Sequence, residues 1–192
     1  MSATVEQPLG FNEALLREPL RRVLGERSRR LLPLNGTTAA AVLIPLFDIG
    51  GETHVWVVRR PTSMRSHAGQ MAFPGGKNDA NDGSLLDTAL RETEEELGIA
   101  RTNIDVLGAL DDTRTITGFR ITPWVGWLAQ GVQVFPNASE VERVIAPPLR
   151  TFLAPPSGMP PWRGWMIEGD LIWGATAAIV DELMRLIGEL RS

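Results

Sequence analysis

Glu92, Glu95 and Glu96 stand at positions i, i+3 and i+4, so on a helix their carboxylates leave from one side. Three like charges on one small patch repel each other unless a cation neutralises them. Hard oxygen donors of this kind suit Mg²⁺ or Mn²⁺. A solvated acidic helix face is the plain alternative, because glutamate is a strong helix former and often clusters on exposed faces. Three neighbouring features favour a site: the same segment has an apolar side, Arg91 directly precedes the first carboxylate, and a Gly75-Gly76 pair leads into it. Arginine presents a rigid fork that can fix the rotamer of a carboxylate, which lysine cannot do in the same way. Arg91→Lys is therefore expected to alter function.

The element that must carry these groups is a helix from Ser84 to Gly98. Ser84 and Asp87 form a capping-box-like start, Leu86, Ala89, Leu90, Thr93 and Leu97 recur at helical spacing, and Gly98 supplies a stop. Before it, residues 61–83 are rich in Gly, Pro, Asn and Asp, which reads as a long loop bearing functional groups. Earlier still, the apolar run Thr38 to Phe47 and the run His54 to Val58 flank Asp48, Gly50 and Gly51, and read as a β-hairpin. Ile104 to Leu110 and Phe119 to Leu128 read as strands, the second with Pro123 marking an edge or a bulge. Trp162 to Trp173 reads as a further strand pair, and Ala175 to Leu190 as a closing helix. An opening helical segment spans Phe11 to Leu24 with a break or kink expected at Pro19. The six arginines between Arg17 and Arg30 are assigned to a solvated helix face with no catalytic role. Mixed strands and helices without βαβ alternation point to an α+β fold, an α/β/α sandwich on a mixed sheet.

Arg91-Glu92-Thr93-Glu94-Glu95-Glu96-Leu97-Gly98-Ile99 resembles the R-E-U-x-E-E-x-G-U core of the Nudix box. Thr93 stands where that family usually has an aliphatic residue. The first half departs further: Gly76 precedes Asp82 by the family's interval, but Asp82 replaces the usual glutamate and precedes Arg91 by one extra residue, so it is read as a supporting group. The resemblance implies a Nudix-type fold over residues 36–192, with residues 1–35 as an N-terminal helical segment of the same domain. It also implies that Glu92 and Glu96 ligate a Mg²⁺ or Mn²⁺ cofactor, that Glu95 is a third ligand or supports the others, and that Arg91 orients them. The catalytic set is then Arg91, Glu92, Glu95 and Glu96. Glu140 or Glu142 could complete it, since several Nudix enzymes recruit a loop glutamate, and Glu140 is the one carried forward.

Arg60 to Gly76 is similar to the segment that precedes the box in coenzyme A pyrophosphatases, through Arg60, Arg65, Gly69 and Phe73 to Gly76, with Pro61 departing from the pattern. The resemblance continues at Gly118 to Pro123, Asn137 to Val141 and Ile172 to Thr176. It implies hydrolysis of coenzyme A or an acyl-CoA to 3′,5′-ADP and (acyl-)4′-phosphopantetheine, with Arg60, Arg65, Gly69, Gly75 and Gly76 binding substrate. The alternatives are a Nudix hydrolase for ADP-ribose, NADH or dinucleoside polyphosphates, and a non-catalytic nucleotide-binding module. Histidine as a residue type suits general-base work, but nothing in the sequence brings the His67 ring to a water, and it receives no role. The tryptophans at 124, 127, 162, 165 and 173 are assigned to packing.

Composition narrows the classes. A formal charge of −4 over 192 residues gives no global attraction for nucleic acid. The absence of cysteine removes thiolate metal sites and cysteine nucleophiles. With 43% hydrophobic and 22% charged residues and no long uncharged apolar run, the chain reads as a soluble, cytoplasmic protein with no membrane partner. Its expected partner is a small nucleotide derivative; the oligomeric state is open, a homodimer being one option.

Overall fold

The computed structural model describes residues 10–63, 68–159 and 163–191. In chain order it contains α1 (Glu13–Glu26), β1 (Thr38–Ile49), β2 (Glu52–Val55), β3 (Val57–Arg59), β4 (Met71–Ala72), β5 (Gly75–Lys77) and α2 (Leu85–Leu97). There follow β6 (Ile104–Ala109), β7 (Thr113–Arg114), β8 (Phe119–Leu128), β9 (Arg143–Ile145), β10 (Gly164–Ile167), β11 (Asp170–Trp173) and α3 (Gly174–Leu190). Arg65, His67 and Trp162 lie outside the described residues.

The main sheet is mixed, as expected. β1 and β8 run parallel at its centre, in register from Thr38↔Phe119 to Leu46↔Trp127. β2 and β5 pair antiparallel along the free side of β1, and β6 and β7 along that of β8. Ala41 and Leu43 face a core completed by Ala89, Leu90 and Leu97 of α2. Ile44, Leu46, Val125 and Trp127 face the other way, onto Leu16 and Leu20 of α1 and Leu183 and Leu186 of α3. Helices therefore cover both faces, and this explains why β1 is a continuous apolar run and does not alternate. β3 is the middle strand of a separate β4-β3-β9 sheet, and β10 and β11 form a hairpin. Among the described residues no helix is long and apolar enough to cross a membrane.

Four local expectations are corrected. The run His54 to Val58 is not one strand of a hairpin: it divides at Trp56, with β2 pairing β1 and β3 entering the small sheet. Pro123 lies neither at a sheet edge nor in a bulged strand, because β8 is central. It sits between the residues of β8 that pair β6 (from Trp124) and those that pair β7 (to Ile121). Its carbonyl accepts from Leu110 on that side, so the missing N–H falls where no partner strand needs it, and the bulge is in β6 between Val106 and Gly108. The segment 61–83 is not all loop, since β4 and β5 lie within it. α1 also runs through Pro19 without ending; the carbonyl that loses its helical partner belongs to Leu15, an exposed residue where water can replace it.

The arginine-rich segment is tied to the domain by ion pairs. Arg17 Nε and Nη2 donate to Asp105 Oδ2 at 2.9 and 2.6 Å, Arg21 donates to the same oxygen, and Arg21 Nη1 reaches the Val106 carbonyl at 3.1 Å. Arg27 bridges Asp111 and Glu182, the latter at 2.8 Å. Asp105→Ala is expected to lower the unfolding free energy by about 1 kcal/mol, a modest loss because these groups are partly solvent-screened. Urea denaturation measures it, and an unchanged midpoint would show that α1 is held by its apolar face alone.

Candidate functional site

α2 forms because both of its ends are closed. Ser84 Oγ accepts from the Asp87 N–H at 3.1 Å, and Gly98 takes the left-handed conformation (φ 67°) while its N–H bonds the Glu94 carbonyl at 2.9 Å. Ala89, Leu90 and Leu97 anchor the helix on the sheet. Thr93 fits the buried face because its hydroxyl donates to the Ala89 carbonyl at 2.7 Å, which leaves its methyl free to pack. With that face down, the carboxylates lie along the β5 side.

Their environments differ sharply. Glu96 is only 2% exposed; its Oε2 accepts from the Gly75 N–H at 3.1 Å and its Oε1 faces Arg60 Nη1 at 3.6 Å. Burial pushes its carboxyl up to about 8, with Glu92 and Glu140 adding repulsion and Arg60 and the Gly75 N–H opposing. Glu92 is also raised, first by burial and then by Glu95 and Glu140, against the pull of Arg91. The Glu95 side chain is 49% exposed and bonds Arg91 Nη1 at 2.9 Å.

Arg91 is the hub. Its Nε and Nη2 donate to Asp82 Oδ1 and Oδ2 at 2.9 and 3.0 Å, and its Nη1 donates to Glu92 at 3.0 Å as well as to Glu95. Asp82 also accepts from the Asp79 N–H at 3.0 Å and the Thr88 hydroxyl at 2.8 Å. Hydrogen bonding to Arg91 holds the Asp82 carboxyl well below the usual range. The sequence reading holds this aspartate as a supporting group, with one extra residue between it and Arg91; despite that shift, both of its carboxylate oxygens meet the Arg91 guanidinium.

Gly75 and Gly76 are required for contact. A β-carbon on Gly75, whose φ is 155°, would fall on the Ala41 carbonyl and the Val42 backbone; one on Gly76 would fall on the Glu92 carboxylate. Gly75→Ala is expected to destabilise the fold because backbone cannot yield, whereas Gly76→Ala displaces only a flexible side-chain end. Gly76→Ala should thus keep the melting temperature within a few degrees and lower activity, about tenfold; paired melting and rate measurements test this, and equal losses of stability in both variants would contradict it.

Other candidate residues surround this centre. Gly69, φ 67°, donates its N–H to the Arg60 carbonyl at 3.1 Å, and Arg60 N–H bonds the Gln70 carbonyl at 3.1 Å, closing the neck of the segment 61–68. Glu142 faces that neck rather than the carboxylates: its Oε2 accepts from the Thr62 N–H at 3.1 Å. Glu140 is on the same side as Glu92 and Glu96, whose pKa values it raises. Trp127 and Trp165 are buried in the core. Among the described residues, no three acidic or histidine side chains already converge on one point as metal ligands do; two arginines occupy the carboxylates instead.

The Nudix domain model matches residues 37–165. The chain belongs to the Nudix hydrolase family. It is 35% identical over 170 residues to an uncharacterized Nudix hydrolase, NudL, of Pectobacterium atrosepticum, covering 83% of this chain and 88% of that protein. It is 37% identical over 158 residues to the same-named protein of Photorhabdus laumondii, covering 77% and 84%. Its fold is similar to that of RenU, a Nudix hydrolase from M. smegmatis (TM-score 0.58, 18% identity, 80% of this chain and 87% of that one). It is also similar to the Nudix domain of Shewanella oneidensis NrtR, solved with ADP-ribose (TM-score 0.54, 18% identity, 84% and 90%). As a Nudix hydrolase the protein acts on pyrophosphate bonds of nucleotide derivatives, and hydrolases of this family generally need a divalent metal such as Mg²⁺ or Mn²⁺. The donors present fit such an ion: they are all carboxylate oxygens, and Glu96 and Glu92 are desolvated beside like charge, which a hard cation relieves.

Proposed function

We propose that this Nudix hydrolase cleaves the diphosphate of coenzyme A or an acyl-CoA, yielding 3′,5′-ADP and (acyl-)4′-phosphopantetheine. The observation that carries the reading is Arg60. It closes the segment that resembles coenzyme A pyrophosphatases, approaches the deepest carboxylate, and keeps a buried Nε without a hydrogen-bond partner among the described residues. A guanidinium so placed can bind a phosphate oxygen beside the acidic helix.

In this reading Glu92 and Glu96 hold the metal, with Glu95 as a third ligand or support. When bound, Mg²⁺ or Mn²⁺ supplies positive charge that neutralises the diphosphate and favours attack by water. Arg91 holds Glu92 and Glu95 in place, and Glu140 is set to receive the proton lost by water. Arg60, Arg65, Gly69, Gly75 and Gly76 form the substrate side of the site, Gly75 and Gly76 by letting their strand close on Ala41 and Val42 and on the Glu92 carboxylate. The water oxygen bonds to one phosphorus, and the bridging P–O bond breaks.

The test is product analysis by chromatography after incubation with Mg²⁺ or Mn²⁺ and coenzyme A, ADP-ribose, NADH or diadenosine polyphosphates, with Glu96→Gln as control. Fastest release of 3′,5′-ADP from coenzyme A, lost in the control, is expected. Faster cleavage of ADP-ribose or another diphosphate would refute the coenzyme A reading and leave the family chemistry intact. Binding of nucleotide without any turnover would favour a non-catalytic module.

A further inference from the structure

The segment from Phe135 to Glu142 crosses the end of α2 and continues to the Arg60 neck. The Phe135 and Asn137 N–H groups donate to the carbonyls of Leu97 and Glu96 at 2.8 and 2.9 Å, so the segment is attached at the deepest carboxylate residue. The Asn137 carbonyl then accepts from the N–H groups of Glu140 and Val141 at 2.9 and 2.8 Å, closing one tight turn, and Val141 is buried in the α2-side core. The Asn137 side chain completes the turn: its Oδ1 accepts from the Ser139 N–H and hydroxyl at 3.2 and 2.7 Å. Those two donors settle which way the amide faces, because a flipped amide would set N–H against N–H. Its Nδ2 is left to donate to Glu140 Oε1, at 3.5 Å.

We infer that Asn137 is a positioning residue whose side-chain amide holds the Glu140 carboxylate toward Glu92 and Glu96, and that it serves the reaction through Glu140. The inference rests on the reading that these glutamates form the reaction centre. Glu140 has no helix of its own to fix it; the turn fixes its backbone and the amide selects its rotamer, against the repulsion of the α2 carboxylates.

The test is a double-mutant cycle of Asn137→Ala and Glu140→Gln, with Asn137→Ser beside it, reading kcat, KM, melting temperature and Mn²⁺ affinity without substrate. Serine can still cap the turn but cannot donate an amide to Glu140. Asn137→Ala and Asn137→Ser are each expected to lower kcat about tenfold with KM little changed, and Asn137→Ala is expected to cost nothing further once Glu140 is Gln. Full kcat in Asn137→Ser would reduce Asn137 to a turn cap, and equal losses in both Glu140 backgrounds would show that it acts without Glu140; either overturns the inference. The Mn²⁺ arm separates this failure from failure of the function itself. In a protein that cleaves no diphosphate, non-additive weakening of Mn²⁺ binding would still support the Asn137–Glu140 link, and additive weakening would refute it.

Discussion

In a chelating buffer, the protein is expected to lose stability as the pH rises from 5 to about 9, and Glu96→Gln is expected to remove most of that loss. The folded carboxyl of Glu96 is pushed up to about 8 by burial, from an ordinary value of 4.5. Its folded pKa lies above its unfolded one, so the folded state binds the proton more tightly. The resulting stability is complete below about pH 4.5 and is lost as the pH passes through 8. At roughly 1.4 kcal/mol per pKa unit, the swing is on the order of 4 kcal/mol. Glu92, also raised, acts in the same direction, whereas Asp82 and Asp105, both lowered, titrate below this window. Added Mn²⁺ should restore stability at high pH in the wild type and much less in Glu96→Gln, whose turnover should fall by about 10³-fold if it ligates the metal. Urea denaturation at several pH values, with and without Mn²⁺, measures all of this. A wild-type curve that is flat between pH 5 and 9 in chelator would show that Glu96 is better solvated than its 2% exposure implies.

Asp82→Ala is expected to lower the unfolding free energy by about 2 kcal/mol and activity by about tenfold or more. Loss of the carboxylate strands both arms of the Arg91 fork together with the Thr88 hydroxyl and the Asp79 N–H. A fully buried pair would cost about 3–5 kcal/mol. The Arg91 side chain is 31% exposed, so solvent screening reduces the figure. Freed from Asp82, Arg91 can settle more firmly on Glu92 and Glu95 and compete with a cation for them. Because Asp82 is held below its usual pKa, its contribution is present at neutral pH and fades only in strong acid, as pH falls through the lowered value. Arg91→Lys should lose the bidentate contact and show a similar drop in activity with a smaller loss of stability. Wild-type denaturation and kinetics in Asp82→Ala would mean that the side of α2 facing β5 holds its geometry without this anchor.

The acidic helix was legible in the sequence because everything that makes it is local. The Ser84 cap, the Gly98 stop, the apolar spacing and the i, i+3, i+4 glutamates all lie within one short stretch, and helical periodicity converts their spacing directly into a shared face. The long apolar run of β1 was legible for a similar reason, as were the hairpin of β10 and β11 and the closing helix. What was not legible depends on contacts between residues far apart in sequence. No local pattern says that the strand run at His54 to Val58 changes sheets at Trp56, or that Pro123 occupies a central strand at the one gap between two outer partners. The same holds at the site. Residue types and spacing singled out Glu92, Glu95 and Glu96 as equivalent candidates, but tertiary packing separates them into a buried, an intermediate and a half-exposed carboxylate. It also gives Glu96 the Gly75 N–H and Arg60, and it returns Asp82 to Arg91 despite the shifted register. The sequence alone determined which groups share a helix face, because that follows from backbone period. The tertiary structure decided how strongly each is desolvated and what it faces, because burial and charge pairing are properties of the assembled surfaces.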